Sequence, residues 1–384
     1  MTVTALRHEN TRPGWRPDIV HPLKLFDLAQ AQDRFLTVSA PMVRYSKLAF
    51  RQTVHQFGTD LCYTPMILAK EFNRNQVARD SDLTISSAGI QPPTIVQFGA
   101  NDPQELSRAS SLVVPFVSGV DLNCGCPQGW ACAETLGAAL MERRELVRDM
   151  VVETRRRFTA DGWTREREGG KGRSISVKIR VHKDLRKTMD FIDTVLGSGS
   201  EPLPDWITIH PRTRYTPSST PIFTDSLNIL LEKYSARLPI LLSGDVFSMS
   251  GLPLTPNTFT ASETVEPFVP RPSNTGLRGF MSARGLLANP AMFAGYEACP
   301  WEAVGTFLNN VIKAPLPLAL TLHHLSEMCS PGMGTDKSAL LTKAEKTHMM
   351  TLTSLLDVID FLDNIMEGRG YKGGVKRYEQ SDHN

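Results

Sequence analysis

Eight short β-rich runs recur along the first three quarters of the chain: 35–39 (FLTVS), 61–64 (LCYT), 94–98 (TIVQF), 118–122 (SGVDL), 175–181 (ISVKIRV), 206–210 (WITIH), 239–243 (PILLS) and 278–282 (RGFMS). Longer amphipathic stretches separate most of them, and this alternation is the sequence mark of parallel βα units. Eight such units close a parallel sheet on itself, so the pattern predicts an α/β chain folded as a (β/α)8 TIM barrel rather than an open doubly wound sheet. A barrel of that kind takes about 250 residues, and the chain has 384. The surplus divides into an N-terminal extension (1–34) and a C-terminal helical domain (300–384), with the barrel at 35–299. Helical periodicity marks 302–313, 318–329 and 339–366 in the C-terminal part. Within the barrel, Asp102-Pro103 opens a helix over 102–113, and apolar residues at helical spacing predict another over 133–158.

One unit breaks the pattern. After the seventh run, 247–276 is rich in Ser, Thr and Pro, which predicts a mobile insertion in place of a helix. A second polar, Gly-rich insertion, 165–173, is expected to be exposed. Hydrophobic residues make up 41% and charged residues 21%, enough to build a large core and too ordered a composition for a disordered chain. The N-terminus has no signal-like apolar core and no window approaches a membrane span, so the expectation is a soluble protein of the cytoplasm or nucleus, monomeric, with no membrane or obligatory protein partner. The six cysteines (62, 124, 126, 132, 299, 329) form no CxxC pair; reduced thiols and no metal site are expected. Net charge is only +2. Between Glu142 and Lys187, however, fifteen Lys/Arg face eight Asp/Glu, a basic stretch that is either a solvated face or a nucleic-acid contact. Residues 310–384 are not basic overall, with eight Lys/Arg and nine Asp/Glu.

In a barrel the chemistry gathers where the strands end. The first run ends in Ala40-Pro41-Met42-Val43, the third in Gln97-Phe98-Gly99, and the fourth in Asn123-Cys124-Gly125-Cys126-Pro127. The fifth carries Lys178, the sixth ends in His210-Pro211-Arg212-Thr213-Arg214, the seventh in Ser243-Gly244-Asp245 and the eighth in Ser282-Ala283-Arg284-Gly285. Taken singly, Lys178 could be a snorkelling surface lysine, His210 a core histidine and Ser243–Asp245 an ordinary turn. Together they form a polar ring suited to a flat electron-accepting group with a phosphate. Lysine and glutamine can bond its ring atoms, and the turns after the seventh and eighth runs offer backbone N–H groups, with Arg284 as counter-charge.

These residues also bring a resemblance. DLNCGCPQGWACAETLGAALM (121–141), with APMVRYSKLAFR (40–51), QFGAND (97–102), SVKIRV (176–181), IHPRTR (209–214) and MSARGLLANPAMF (281–293), resembles the dihydrouridine synthases over about residues 35–300. The loop NCGCPQ and the run ARGLLANP followed by PWEAV look most like the eukaryotic subgroup acting at D-loop positions 20a and 20b of tRNA. The resemblance implies FMN held by Pro41, Met42, Val43, Gln97, Lys178, His210, Ser243, Gly244, Asp245, Ala283 and Arg284, with NADPH or NADH as reductant. It assigns proton donation to Cys126, and leaves Cys124 and Cys132 structural. Ser243 stands where many members have asparagine, Ala283 where many have glycine, and the 247–276 insertion replaces a barrel helix.

The implied reaction adds a hydride from flavin N5 to uracil C6 and a proton from Cys126 to C5. A thiol with an ordinary pKa of about 8.5 is suited to the second step, being mostly protonated at neutral pH yet able to give the proton up. Asn123, Lys178, His210 and Arg212, with Thr213 and Arg214, are candidates for holding the uracil carbonyls or ribose-phosphate of the tRNA. The target base must leave its stack, which a loop of folded RNA makes cheap. Two other readings stay open: an FMN barrel oxidoreductase acting on a free pyrimidine, and an RNA-binding scaffold without catalysis.

Overall fold

The computed structural model describes residues 19–85, 90–254 and 276–371. Among the described residues nine strands are formed: β1 Leu36–Ser39, β2 Leu61–Tyr63, β3 Ile67–Leu68, β4 Thr94–Gly99, β5 Gly119–Cys124, β6 Ser174–Arg180, β7 Trp206–His210, β8 Ile240–Ser243 and β9 Leu277–Ser282. All pairs are parallel. The sheet runs β2-β1-β9-β8-β7-β6-β5-β4, and the β2–β4 pairing closes it. This is the expected TIM barrel, with each of the eight predicted strands in place. The short β3 was not foreseen. Cys62 and Tyr63 pair with Thr94 and Ile95, whereas Ile67 and Leu68 pair with Phe98 and Gly99, so one extra residue is taken up around Pro65. Proline has no N–H for the ladder, which is why the second strand breaks there and resumes.

Side chains alternate across each strand. One row, with Cys62, Val96, Phe98, Val120, Leu122, Ile175, Val177, Ile207 and Leu242, joins the large core between strands and helices. The other points into the barrel. On β9, β1, β2 and the start of β4 that inner row is apolar, with Met281, Leu36, Val38, Leu61, Tyr63 and Ile95. On β4 to β7 it turns polar, with Gln97, Asp121, Asn123, Ser176, Lys178 and Thr208. Two inward glycines have no room for a side chain: a Cβ on Gly119 would lie 2.1 Å from Ser174 Oγ, and one on Gly279 would lie 2.3 Å from Leu36 O. The bottom is plugged by the helix Pro22–Ala31, whose Phe26 lies 5.6 Å from the fully buried Trp206. That helix falls within the stretch expected to be a simple extension.

The helix Pro103–Val113 begins as its sequence dictates: Asp102 accepts from Glu105 N at 2.9 Å and Pro103 occupies the first turn. The predicted helix over 133–158 is instead three pieces, Gly129–Ala133, a 3-10 turn Gly137–Glu142 and Arg144–Ala160. Thr135 and Gly137 both take positive φ (55° and 58°), and no α-helix continues through that backbone. The stretch 165–173 is anchored at both ends rather than simply exposed: Arg165 bonds the buried Asp205 at 2.8 Å, and Arg173, 2% exposed, donates to Val114 O at 2.6 Å. Of the insertion expected at 247–276, residues 255–275 lie outside the described residues.

At the C-terminal end the helices are Trp301–Lys313, Leu318–Met328, Lys343–Met349 and Leu355–Gly368. The single helix predicted at 339–366 is two, each with its own start: a Thr342/Glu345 capping box, and Ser354 accepting from Asp357 N. Asn310 on the first of these helices donates to Thr53 Oγ1 (2.9 Å) and Gln56 Oε1 (3.0 Å) on the barrel helix Leu48–Gln56. His324 is fully buried against the rings of Tyr45, Phe50 and Phe307. One apolar core therefore runs from the barrel into these helices. No helix among the described residues is long and apolar enough to cross a membrane.

Candidate active site

Strand register sets the inner polar side chains in tiers. Gln97, Asp121, Ser176 and Trp206 are successive partners across β4 to β7; two residues further along, Asn123, Lys178, Thr208 and Leu241 form the next tier. The lower tier is a continuous hydrogen-bond chain. Trp206 Nε1 donates to Tyr63 OH (3.1 Å), which contacts Ser176 Oγ (3.3 Å), and Ser176 donates to Asp121 Oδ1 (2.6 Å). The other Asp121 oxygen accepts from Gln97 Nε2 (2.8 Å), and Gln97 Oε1 accepts from Asn123 Nδ2 (2.7 Å). Asn123 Oδ1 then receives the backbone N–H of Gly125 (2.9 Å) and Cys126 (2.8 Å). An ionised carboxylate can only accept, so Asp121 fixes which way the Gln97 and Asn123 amides face. The cysteine loop is thereby held from below.

The loop is held from above as well. Arg180 Nε donates to Gly125 O (2.7 Å) and its Nη1 to Thr213 O (2.9 Å), joining the ends of β5 and β7. Ala138 N donates to Cys126 O (2.8 Å). A Cβ on Gly137 would sit 2.5 Å from Cys126 O and 2.8 Å from Cys126 Cβ, so this glycine lets the following turn press directly on Cys126. Cys126 is half-exposed, whereas Cys124 is fully buried on the outer row and burial pushes its thiol well above the ordinary range. Cys132 also packs on the loop, its Sγ 3.8 Å from Cys126 O.

The remaining predicted residues divide. Pro41 and Met42 are half-buried in a turn fixed by Ser46, which accepts from Met42 N (3.0 Å) and donates to Ala40 O (2.8 Å). Val43 is 46% exposed and faces outward. Ser243 is buried; Gly244 and Asp245 take positive φ (110° and 54°), and Gly244 lies against the His210 ring, where a Cβ would be 2.9 Å away. Ala283 is half-buried, and Arg284 is exposed with its guanidinium over the Phe247 ring. Arg212 is 2% exposed, and its guanidinium donates to Thr220 O (2.7 Å) and Asp245 Oδ1 (2.5 Å) and lies 3.1 Å from His210 Nε2. It braces strand ends from behind. Thr213 bonds Thr216 Oγ1 at 2.8 Å, and Arg214 lies on the surface.

The electrostatics follow from this crowding. Burial, together with Lys178, Arg180, Arg212 and Arg284, pushes His210 down to about 2, so its ring is neutral. Burial lowers Lys178 to about 8, aided by Arg180 and opposed by Asp121 and Cys126; burial raises Asp121 to about 6. The mouth therefore carries concentrated positive charge, a field that draws anions. Sequence reasoning missed Asp121, Ser176, Tyr63, Arg180 and Gly137. The period of two offered a signal for Asp121 and Arg180, which share inner rows with Asn123 and Lys178.

A flavin mononucleotide fits these residues. Gln97 keeps an amide hydrogen and a lone pair after bonding Asp121 and Asn123, and Lys178 offers a cation one tier above. The Gly244 turn and Arg284 offer backbone and charge for a phosphate.

The dihydrouridine synthase family model matches residues 38–351. The chain is 38% identical over 341 residues to a human protein described as tRNA-dihydrouridine(20a/20b) synthase [NAD(P)+]-like, covering 89% of this chain and 93% of that one. It is 38% identical over 351 residues to the Schizosaccharomyces pombe tRNA-dihydrouridine(20a/20b) synthase [NAD(P)+], covering 91% and 93%. The Saccharomyces cerevisiae protein of the same description is 35% identical over 353 residues, covering 91% and 85%.

Proposed function

The chain belongs to the dihydrouridine synthase family, and from that premise we propose that it reduces the C5–C6 double bond of uridines 20a and 20b in tRNA, using bound FMN and NADPH or NADH, in the cytoplasm or nucleus. The observation that carries this reading is the half-exposed Cys126, held at the barrel mouth by Asn123 and Gly137 and close to Lys178. When bound, FMN supplies the hydride that adds to uracil C6. The protein's own task is the other half of the addition. Cys126 Sγ gives its proton to C5, which completes the saturated ring; the thiolate recovers a proton from solvent before the next turnover. Lys178, charged below about pH 8, stabilises negative charge developing beside it. Asn123 orients the loop that carries the thiol, and neutral His210 is available as a hydrogen-bond partner to a carbonyl. Gln97, the Ser243–Asp245 turn and Arg284 would hold the cofactor.

Two measurements test this. The purified protein should be yellow and bleach on addition of NADPH, and tRNA from cells lacking it should lose dihydrouridine at 20a and 20b by mass spectrometry. Protein that stays colourless after mild purification and soaking with FMN, or tRNA unchanged at every position, refutes the proposal.

A further inference from the structure

Beside the cysteine loop, between the ends of β6 and β7, lies a groove of about 1000 Å³, at the top of the size range for small-ligand sites. It adjoins the reaction centre: Ala138, which donates to Cys126 O, and Arg180, which holds Gly125, are both part of its wall. Its charge is one-sided, with Arg180, Lys183, Arg186, Lys187 and Arg214 against Glu142 and Asp184. Asp184 is occupied in capping the helix Leu185–Leu196 and pairing Arg186. Lys183 and Lys187 are exposed around the first turn of that helix, where the helix dipole disfavours cations. Folding therefore gives no reason for them.

The groove also holds an aromatic side chain that folding leaves outside. Tyr215 is 78% exposed, and the Arg214 guanidinium lies 4.8 Å from its ring centre. A ring of this kind, with cations alongside, is how proteins hold unpaired nucleotides: the base stacks on the ring and the backbone follows the positive charge. Resting on the tRNA reading above, we propose that this groove seats a nucleotide adjoining the target uridine, its base stacked on Tyr215 and its phosphates on Lys183 and Lys187. The flipped uridine and its neighbour would then be gripped from two sides of the same loop.

The test uses the full-length flavoprotein and two probes, an unmodified tRNA transcript and an eight-nucleotide single-stranded RNA. Tyr215→Ala should weaken both by about 5- to 100-fold, the range for losing one base–aromatic stack, whereas Tyr215→Phe, which keeps the ring, should stay near the parent. Lys183→Ala combined with Lys187→Ala should lower the slope of log affinity against log salt by about one to two. Arg108→Ala, on an exposed face of Pro103–Val113, should leave affinity near the parent's. Parental affinity in Tyr215→Ala overturns the proposal. So does an equal loss for heparin, a polyanion without bases, because the surface would then be a general anion site. Dihydrouridine formation measured on the same samples separates the two readings. If Tyr215 governs RNA binding but no dihydrouridine forms, the catalytic reading falls and the groove stands; dihydrouridine formed with binding indifferent to Tyr215 has the reverse meaning.

Discussion

Replacing Asp121 with asparagine tests whether the chain of hydrogen bonds inside the barrel governs its mouth. Asp121 is fully buried and accepts from Ser176 Oγ at 2.6 Å and Gln97 Nε2 at 2.8 Å. Asparagine converts one acceptor into a donor. If the new amino group faces Gln97, that amide must flip, Asn123 must flip after it, and the N–H groups of Gly125 and Cys126 lose their acceptor. If it faces Ser176, the serine turns its proton towards Tyr63, whose oxygen already receives Trp206 Nε1 at 3.1 Å. The tyrosine proton is then left without the serine. The second arrangement sacrifices fewer bonds and should win; the tyrosine proton can turn to Thr208, the other hydroxyl beside it, so the loss is at most that of one unsatisfied buried group, about 1–3 kcal/mol. The electrostatic effect is separate. Lys178 loses the anion that opposes its deprotonation, so its pKa falls further from about 8. Charged lysine is the form present below that value. The alkaline limb of the pH–rate profile should therefore move to lower pH, and an acid limb near 6, where Asp121 takes up a proton, should disappear. The assay is dihydrouridine formation at saturating tRNA between pH 5 and 9, with a thermal melt on the same protein. A folded, flavin-loaded variant whose profile superimposes on the parent's refutes the reasoning.

Cys126→Ala should cut dihydrouridine formation by roughly 10²–10⁴-fold, the usual loss for a positioned general acid, while Cys124→Ala, on the buried outer row, should leave the rate within a few-fold; single-turnover assays with prereduced enzyme distinguish them. Gly137→Ala should slow the reaction by about 10²-fold by displacing Cys126, and an alkylation rate of Cys126 equal to the parent's would contradict that. His324 contributes an acid sensitivity: burial lowers it to about 3 from the ordinary 6.5, so the folded state resists protonation. Stability from this site is complete above about pH 6.5 and is lost as pH falls towards 3. His324→Phe should flatten the melting temperature across that window, and an unchanged slope would rule out His324 as the sensor.

What could be read from sequence depended on whether a feature repeats. Eight strands recur with spacing and composition, so all eight were locatable, and the polar residues at their ends stood out against apolar runs. Pro65 occurs once, and the break it makes in the second strand depends on the neighbouring β4. Thr135 and Gly137 lie inside an apolar pattern of helical period, and only their backbone angles reveal that the helix is interrupted. Arg212 shows another limit: arginine after a strand end suggests a ligand contact, but how many of its five donors the protein itself takes up is decided by Thr220 and Asp245, which sequence does not bring near. The helix Pro22–Ala31 was concealed by its position, since no barrel pattern announces what fills the bottom.

That plug has a consequence for traffic. With Phe26 and Trp206 stoppering the lower end, the barrel is, among the described residues, a blind well open at the strand ends, and on the function proposed above the reductant and the RNA arrive and depart through the same opening. Neither can be waiting inside while the other is served. Queueing of this sort leaves its trace in steady-state kinetics as parallel double-reciprocal lines, and as each substrate, in excess, obstructing the other.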